Sequence, residues 1–448
     1  MMTGRCYPAR MTVKDSDAAP ASLSGREAAA LLGVKRETLY AYASRGLLRS
    51  EPGGPGRERR YNREDLERLR VRRDARSGHG PVAAGALRWG EPVLESALTA
   101  IEPAGPRYRG RPSAELASSC SLEAVAELLW SGVLPDAAPR WQAAGVGLRI
   151  ASLTALLPGA APPLVTLALA VAALGAADPD RFNQALEPEK ARARALILRM
   201  AALAGAGFDA TQVRLAQAED DVAGALLVSL GAPATARARQ LMGRALVLCA
   251  DHELNTSAFA VRVAASAGAD LYACVSAGLA TLSGPRHGGT VDRVEALASE
   301  VGKPEHARAV VQERARRGEE IPGFGHPLYP AGDPRGALLL AAASEHAPRS
   351  PRLRIIQAIV ETMREAGREP PTLDIGLASI GAALGLPPRT AVAIFAVGRT
   401  AGWLAHAFEQ RSAGFLLRPR ARYVGPQIPG QAEVENLHSS EKRGSGRA

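Results

Sequence analysis

Apolar side chains recur every three or four residues along much of this 448-residue chain, which is the spacing of helices that bury one face. A clear case is the segment that carries Leu122, Val125, Leu128 and Leu129. The longest apolar run, Leu164 to Ala177, is too short to span a bilayer and is typical of a buried helix. The pattern predicts a mostly helical protein that does not cross a membrane.

Two short helices are predicted near the N-terminus, between Leu23 and Leu48. Ser24 can cap the first helix, and Gly33 ends it. The second helix turns Leu39 and Tyr42 inward. Two short helices joined at a glycine-containing turn form a helix-turn-helix, whose second helix usually enters the major groove of DNA.

A Gly/Pro-rich tip, an Arg-rich segment ending at Tyr61 and a further helix from Asn62 or Arg63 come next. This order resembles the winged helix-turn-helix of MerR-type regulators and excisionase-like proteins. The resemblance implies that duplex DNA is a partner and that seven residues contact it: Lys35, Arg36, Thr38 and Tyr40 from the second helix, and Arg57, Arg59 and Arg60 from the wing. The alternative is a basic helical cap that only packs on the rest of the protein.

Charge is distributed unevenly along the chain. Residues 1–80 hold 17 Lys and Arg against 10 Asp and Glu, which is +7 of the total net charge of +10. Such asymmetry indicates a basic module attached to a nearly neutral body. A basic patch supplies non-specific affinity for DNA but does not by itself specify a sequence.

The four cysteines, Cys6, Cys120, Cys249 and Cys274, are scattered and show no metal-binding spacing. Single cysteines of this kind are typical of reduced thiols in a cytoplasmic protein. The N-terminus carries charges but no continuous apolar core, so it does not match a secretory signal. We therefore expect a cytoplasmic protein.

Short polar segments beside glycines interrupt the predicted helices of the body. The segments are Tyr108 to Pro135, Ala250 to Arg262, Gly278 to Thr290, Gly323 to Arg335, Pro371 to Pro388 and Phe395 to Pro426. Each polar centre lies at a helix end or beside a glycine, where side chains can reach a shared cleft.

The ordered motifs DHE-x-N, GP-x-HGG, GFGH-x₈-R and RPRARY resemble those of the citrate synthase family, from about Arg107 to Pro426. The resemblance implies an all-α fold in which a large and a small domain enclose the active site of a homodimer. The implied organisation is a winged helix-turn-helix at 22–76, a large domain at 85–287 and 386–426, a small domain at 288–385, and disordered tails at 1–21 and 427–448.

The resemblance also implies a reaction, in which acetyl-CoA, oxaloacetate and water give citrate and CoA without a metal or other cofactor. A base must remove a weakly acidic methyl proton while the thioester oxygen receives a hydrogen bond. Asp374 and His287 fall at those two positions of the family pattern. His326 falls where a donor polarises the ketone of oxaloacetate.

Two carboxylates of oxaloacetate are best matched by planar guanidinium groups. Arg335, Arg399 and Arg418 lie at the family's carboxylate-binding positions, with Arg418 expected to reach across from the other subunit. His252 matches the histidine that holds the substrate's oxygen atoms. These four residues complete the implied substrate site.

Each of these residues has an ordinary structural explanation when it is taken alone. The histidines and Asp374 could cap helices, and the arginines could be surface charges or members of ion pairs. A zinc site formed by the three histidines is a further reading, although they lack the HxH or HxxxH spacing.

The sequence also departs from the family pattern. Pro327 stands where many bacterial members carry arginine, and Cys249 stands where some have histidine. These differences leave open whether propionyl-CoA, which gives 2-methylcitrate, is the acyl donor. A second open hypothesis is a DNA-binding regulator that senses a metabolite, but such a sensor needs no catalytic base, and Asp374 is present.

Overall fold

The computed structural model describes residues 22–32, 34–44, 48–52, 59–62, 65–66, 94–141, 147–157, 161–205, 210–419 and 425. These residues fall into two compact units, one within Met1–Glu95 and Pro419–Ala448 and the other Ser96–Arg418. The two tails predicted to be disordered, at 1–21 and 427–448, lie outside the described residues.

The N-terminal unit combines two helices with a small antiparallel sheet whose strand order is β1-β3-β2. Its elements are β1 (Ser22–Ser24), α1 (Gly25–Leu32), α2 (Arg36–Ser44), β2 (Ser50–Pro52) and β3 (Arg59–Asn62). The predicted cap is present, because the Ser24 hydroxyl accepts from Glu27 N at 3.3 Å and the Glu27 carboxylate accepts from Ser24 N at 2.8 Å. This reciprocal arrangement satisfies two backbone donors at the start of α1.

A small apolar core holds the N-terminal unit together. It consists of Ala28, Leu32, Leu39, Leu48, Tyr61 and Leu66. The core joins both helices to β3, so the helix-turn-helix with an adjoining β-hairpin is confirmed. The third helix is described only at residues 65–66.

The second unit is almost wholly helical, with one small antiparallel sheet of order β4-β5-β6. The strands are β4 (Thr99–Glu102), β5 (Gly105–Tyr108) and β6 (Arg111–Pro112). The helices of its first half are α3 (Ser113–Ser119), α4 (Leu122–Ser131), α5 (Ile150–Thr154), α6 (Pro163–Ala177), α7 (Leu186–Leu203), α8 (Ala210–Gln217), α9 (Val222–Ser229) and α10 (Ala236–Cys249). Those of its second half are α11 (Thr256–Ser266), α12 (Leu271–Leu282), α13 (Gly289–Val301), α14 (Ala307–Arg316), α15 (Pro334–His346), α16 (Pro351–Glu365), α17 (Leu373–Ala383) and α18 (Ala391–Ala413). The all-α fold class is confirmed.

Short polar side chains start many of these helices. The residues whose side chains accept a backbone N–H at an N-cap are Ser121, Asp221, Thr235, Asn255, Asp270, Asp333, Ser350 and Thr372. Each satisfies a donor that the helix itself cannot pair. Sharp helix starts of this kind fix the loops between helices, which is where the polar motifs lie.

Helix α18 is the central helix of the second unit. It is long and apolar enough to cross a membrane, yet 94% of its most apolar window is buried inside the protein. It packs against α4, α7, α10, α11, α12 and α17. A helix covered on all sides by other helices is typical of the core of a globular protein.

Helices α13 to α17 pack mainly on one another, with α17 against α15, α13 and α16. This group contains the region for which a small domain was predicted. The boundaries of that domain, at 288 and 385, stay a prediction.

Candidate active site

The loop between α10 and α11 carries His252. Its neighbour Glu253 has a left-handed backbone with φ of 52°, so the chain turns sharply directly after the histidine. The His252 Nε2 lies 2.9 Å from the hydroxyl of Tyr329, and the His252 and His326 rings meet edge to face at 5.5 Å. The sequence-predicted pair His252 and His326 is therefore adjacent in space.

The orientation of His326 is set by the loop after Gly323. Leu328 N donates to His326 Nδ1 at 3.1 Å, so a neutral ring carries its proton on Nε2. Gly323 and Gly325 both have positive φ, of 86° and 78°, and a Cβ at Gly323 would meet Val294 Cγ2 at 2.6 Å. The backbone shape that presents His326 therefore requires glycine.

The His326 loop is joined to the segment that leads into α17. Gly325 N donates to Pro370 O at 2.9 Å, and Thr372 N donates to Gly323 O at 2.8 Å. Asp374 lies in the first turn of α17, two residues later. These two backbone bonds fix the position of Asp374 relative to His326.

Asp374 is half-buried, and burial raises the pKa of its carboxyl to about 6. The Thr372 hydroxyl donates to Asp374 Oδ2 at 2.8 Å and partly opposes this rise. A carboxylate with a raised pKa in a cleft is a stronger base than an exposed aspartate.

Arg335 lies in the first turn of α15 and is only 3% exposed. Its Nε and Nη2 donate to the two carboxylate oxygens of Asp333 at 3.0 and 2.7 Å, which is a bidentate ion pair. Its Nη1 has no hydrogen-bond partner among the described residues, although it is buried. Asp333 also accepts from Leu373 N at 3.3 Å, so it connects Arg335 to the start of α17.

Arg399 lies in α18 and is 1% exposed. Its Nε donates to the carbonyl oxygen of Cys249 at 2.6 Å, and its guanidinium carbon lies 4.9 Å from the centre of the Phe395 ring. Burial lowers the pKa of Arg399, while Asp251 acts in the opposite direction. A second buried cation thus stands near the end of α10.

His287 contacts a small polar network on α11. Its Nε2 lies 2.8 Å from Ser257 Oγ, which also contacts Asn255 Oδ1 at 2.8 Å and receives the indole N–H of Trp403 at 3.1 Å. Ser257 has one hydroxyl proton, which it can donate either to His287 Nε2 or to Asn255 Oδ1. The tautomer of His287 is therefore linked to the rotation of the Ser257 hydroxyl. The ring of Phe395 meets that of His287 edge to face at 5.7 Å.

Burial keeps all three histidines of the site neutral. It lowers the pKa of His287 to about 4, with Arg399 adding to the effect. It lowers the pKa of His326, assisted by Arg335, and it lowers that of His252 further, where Arg335 and Arg399 again contribute. Neutral imidazoles beside buried arginines can donate hydrogen bonds without adding charge.

The structure brings six of the seven predicted catalytic and substrate-binding residues into one region. His252 and His326 both contact Tyr329, over whose ring the Arg335 guanidinium carbon lies at 5.8 Å, and His287 and Arg399 both contact the Phe395 ring. Arg399 also donates to Cys249 O, three residues before His252, and backbone bonds join the segment before Asp374 to the His326 loop. Arg418 is different. It is exposed in the segment after α18 and shows no contact with the other described site residues.

The residues that sequence reasoning missed are the partners of the predicted ones: Tyr329, Asp333, Ser257, Asn255, Trp403 and Phe395. Three of them had a usable signal. Tyr329 and Asp333 lie inside the same GFGH-x₈-R segment as His326 and Arg335, and Asn255 is the last residue of the DHE-x-N motif.

The residues predicted to contact DNA are partly described. Lys35 and Tyr40 are exposed on the helix-turn-helix, Tyr40 by 56%, and Thr38 is half-buried. Arg59 and Arg60 are exposed on β3, where they donate to Ser50 Oγ and to Ser22 Oγ and O. Arg57 and the side chain of Arg36 lie outside what the structure describes.

A metal site has no support in the part of the chain that the structure describes. Within it, no group of three or more His, Cys, Asp or Glu residues is placed to hold a metal ion. His252 and His326 are neighbours, but their shared contact is Tyr329, not a third ligand.

Two family profiles match the chain. The one described as "Citrate synthase, C-terminal domain" matches residues 86–420, and the one described as "Helix-turn-helix domain" matches residues 22–73. The first spans the whole of the Ser96–Arg418 unit, and the second lies within the N-terminal unit.

Several characterised proteins are similar to this chain. The 2-methylcitrate synthase of Mycobacterium tuberculosis H37Rv is 32% identical over 342 residues, which is 72% of this chain and 86% of that protein. The citrate synthase of Mycolicibacterium smegmatis is 30% identical over 339 residues, 71% of this chain and 88% of that protein. Citrate synthase 2 of Bacillus subtilis is 37% identical over 196 residues, and there the match spans only 51% of that protein's length and 42% of this chain.

Solved structures show the same architecture. The ternary complex of Thermoplasma acidophilum citrate synthase with carboxymethyl coenzyme A and oxaloacetate superposes with a TM-score of 0.66 at 25% identity, covering 78% of this chain and 99% of that one. Citrate synthase from Thermotoga maritima gives a TM-score of 0.63 at 25% identity, covering 77% of this chain and 97% of that one.

Proposed function

This chain belongs to the citrate synthase family, and from that premise we propose that it joins the acyl group of a short acyl-CoA to oxaloacetate with water, releasing CoA. Citrate synthases need no cofactor, and the CoA thioester is itself a substrate. The preferred donor is acetyl-CoA, which gives citrate, with propionyl-CoA and 2-methylcitrate as the alternative. We assign the reaction to the cytoplasm.

The observation that carries the proposal is the buried, incompletely paired guanidinium of Arg335. Two of its nitrogens hold Asp333, while Nη1 has no acceptor among the described residues. Buried N–H groups nearly always have a partner, so an anionic acceptor belongs here. A carboxylate of oxaloacetate supplies one, and Arg399 provides a second buried cation for the other carboxylate.

Three side chains then perform the chemistry. Asp374 removes a proton from the carbon next to the thioester, while His287 donates to the thioester oxygen where negative charge develops. The resulting carbon nucleophile attacks the ketone of oxaloacetate, and His326 Nε2–H gives its proton to the new alkoxide. Water then cleaves the thioester bond and CoA leaves.

The contacts of this site favour an enzyme over a metabolite sensor. A sensor needs the two arginines and His252 but gains nothing from a carboxylate whose pKa burial raises to about 6. Arg418 acts from the partner subunit of a homodimer in this proposal, since in its own chain it is exposed and apart from the site.

The acyl chain length cannot be set by charge, because acetyl and propionyl groups are both apolar. One additional methylene changes discrimination by only about 1–3 kcal/mol. The test is therefore a measurement of CoA-thiol release from acetyl-CoA and from propionyl-CoA, each with and without oxaloacetate. Release that does not depend on oxaloacetate would contradict condensation and indicate simple thioester hydrolysis.

A second function is proposed for the N-terminal unit, which is duplex DNA binding. Tyr40 is exposed by 56% on α2, Lys35 is exposed in the turn before this helix, and Arg59 and Arg60 are exposed on β3. Exposed basic side chains can contact phosphates, and a large exposed aromatic side chain in the same small unit is typical of an interaction surface.

A further inference from the structure

One face of α18 contacts the His252 segment at four successive points. Arg399 Nε donates to Cys249 O at 2.6 Å, and Gly402 N donates to Ala250 O at 3.0 Å. His406 Nε2 lies 3.2 Å from Asp251 Oδ1, within ion-pair distance, although neither atom has a partner in hydrogen-bond geometry among the described residues. Positions 399, 402 and 406 are spaced by three and four, so they lie on the same side of the helix.

The fourth contact is that of Trp403, whose indole N–H reaches Ser257 Oγ at 3.1 Å. Ser257 in turn contacts His287 at 2.8 Å. Trp403 thus supports His287, which lies on the acyl-CoA side of the site. The oxaloacetate side, with His252, is supported by the three other contacts of α18, those at positions 399, 402 and 406.

His406 and Asp251 are both fully buried, and neither has a role in the proposed chemistry. The Thr99 hydroxyl donates to the other carboxylate oxygen of Asp251 at 2.6 Å. A Cβ at Gly402 would meet Asp251 Oδ1 at 2.5 Å, so the glycine makes room for this carboxylate. The pair occupies a site built from α18, β4 and the loop.

A buried carboxylate is stable only if its charge is compensated. Burial acts to raise the pKa of Asp251, but His406, Arg399 and Thr99 together bring it below its ordinary value. Asp251 is therefore ionised in the folded protein, and His406 is the first of the groups that keep it so.

Asp251 directly precedes His252, so the contacts that hold the Asp251 side chain and backbone also hold the start of the histidine's backbone. The Tyr108 hydroxyl lies 3.1 Å from Asp251 O and holds the same peptide from the other side. His252 has little freedom of its own, because it is buried against Tyr329. Its position depends on where Asp251 is held.

We propose that His406 is a positioning residue for oxaloacetate, which acts through its 3.2 Å contact with the Asp251 carboxylate and thereby holds His252 in register with Tyr329 and His326. The inference rests on the proposed function, because it assumes that His252 contacts oxaloacetate. It predicts a selective defect. Loss of the His406 imidazole weakens oxaloacetate binding, whereas the acyl-CoA side keeps its own support through Trp403.

The experiment compares His406→Leu, which removes the polar imidazole, with His406→Gln, whose side-chain amide can occupy the position of Nε2. Oxaloacetate affinity is measured by isothermal titration calorimetry, and the two KM values by CoA-thiol release. We expect about tenfold weaker oxaloacetate binding for His406→Leu, the fold-change of a lost polar contact with a charged group, and near recovery for His406→Gln. The KM for acyl-CoA stays within about twofold.

Thr400→Val is the matched control. Thr400 is fully buried in the same helix, and its hydroxyl contacts Ala396 O and the Met200 sulfur, away from the His252 loop. The Thr400→Val substitution removes a buried hydroxyl and keeps the volume of the side chain, so it reports on general damage to α18. Equal losses of oxaloacetate affinity in His406→Leu and Thr400→Val would overturn the proposal.

A double-mutant cycle with Asp251→Asn tests whether His406 acts through Asp251. Strong non-additivity supports the pathway, and additive effects overturn it. If His406→Leu does not fold, His406→Asn replaces it, since the shorter amide reaches the Nδ1 position only. Wild-type protein that binds no oxaloacetate contradicts the proposed function itself, whereas equal affinities of wild type and the Leu or Asn variant contradict only the role of His406.

Discussion

At the scale of single residues, Asp374 combines two properties that rarely occur together on a surface aspartate. It starts a helix beside Thr372, and burial raises its pKa to about 6. Asp374→Asn keeps the size and the hydrogen-bonding capacity of the side chain but cannot accept the substrate proton. Turnover should fall by about 10²- to 10⁴-fold, as for a lost general base, with oxaloacetate affinity nearly unchanged. Steady-state kinetics with a calorimetric binding control decide this, and wild-type turnover in the variant would refute the assignment.

The raised pKa of Asp374 also predicts a pH dependence. The base acts only when ionised, so kcat/KM of the free enzyme should rise with pH, reach half its maximum near pH 6 and level off about one pH unit higher. His287 does not interfere, since burial lowers its pKa to about 4 and it is neutral throughout that range. The same shift affects stability. Ionising Asp374 in the folded protein lowers the free energy of unfolding. This loss of stability is absent below the pKa of the carboxyl in the unfolded chain and is complete above its folded-state pKa of about 6.

Asp374→Asn should therefore raise the melting temperature more at pH 8 than at pH 4. A pH-rate profile and thermal melts at the two pH values test these expectations. A flat profile between pH 5 and pH 7 would remove Asp374 as the base.

The bidentate pair of Arg335 and Asp333 changes how the arginine must be tested. Removal of the charge would leave Asp333 buried without its partner, which destabilises a protein by about 3–5 kcal/mol. Arg335→Lys keeps the charge but loses the planar fork. We expect at least a tenfold loss of oxaloacetate affinity with a small change in the KM for acyl-CoA. Comparable losses for both substrates would indicate misfolding instead.

Residue identities in this site followed from the order of the sequence motifs, but their partners did not. His326 and Arg335 stand in a short glycine-rich segment whose chemistry is visible in the sequence. Ser257 and Trp403 are 146 positions apart and meet only because α11 packs against α18. Such long-range partners depend on helix packing, which a local pattern of residues does not contain.

At the scale of elements, helix starts were predictable and the small sheet was not. Ser24 caps α1 as predicted, because capping is a local property of a few residues. The strands β4 and β5 are only four residues long each, and the helical pattern of apolar residues predicted no strand there. Yet β5 supplies Tyr108, whose buried hydroxyl lies 3.1–3.3 Å from the carbonyl oxygens of Val247, Leu248 and Asp251.

This contact of β5 with the end of α10 gives an element-scale prediction. Tyr108→Phe removes the hydroxyl and leaves buried carbonyl groups without their donor, which should cost about 1–3 kcal/mol of unfolding free energy. Because Asp251 O is one of those groups, oxaloacetate affinity should fall as well. Tyr272→Phe is the control, since that buried hydroxyl donates to Asp178 on α6's C-terminal side at 2.9 Å. It should lower stability alone. Denaturant unfolding measures the loss of stability, and calorimetry measures oxaloacetate affinity. Equal oxaloacetate affinities of the Tyr108→Phe and Tyr272→Phe variants would refute the link between Tyr108 and the oxaloacetate site.

At the scale of the whole molecule, the chain consists of two compact units with different expected partners. Removal of the N-terminal unit by starting the chain near Pro81 should leave oxaloacetate-dependent CoA release largely intact, because units with separate cores fold independently. The full-length protein should bind duplex DNA with an affinity that weakens steeply as salt rises, and the shortened protein should not. Fluorescence anisotropy with labelled duplex measures both.

Replacement of Arg57, Arg59 and Arg60 with alanine should reduce the salt dependence of DNA binding, because fewer phosphate contacts release fewer counterions. Tyr40→Ala keeps the net charge and serves as a comparison for the groove contact. Full-length and shortened proteins that bind duplex equally poorly would leave the N-terminal unit as a basic cap, which was the alternative interpretation of its sequence.

The four-point contact along α18 also constrains how this protein can change over evolutionary time. Each residue added to a helix rotates all later positions by about 100° relative to the earlier ones. A single insertion between Arg399 and His406 would leave the arginine over Cys249 while turning His406 away from Asp251. A point substitution on another face of α18 keeps this register, although it still has to fit the buried core around the helix. Descendants of this sequence can therefore replace residues of α18 one at a time, but insertions and deletions between Arg399 and His406 should be absent from every functional lineage.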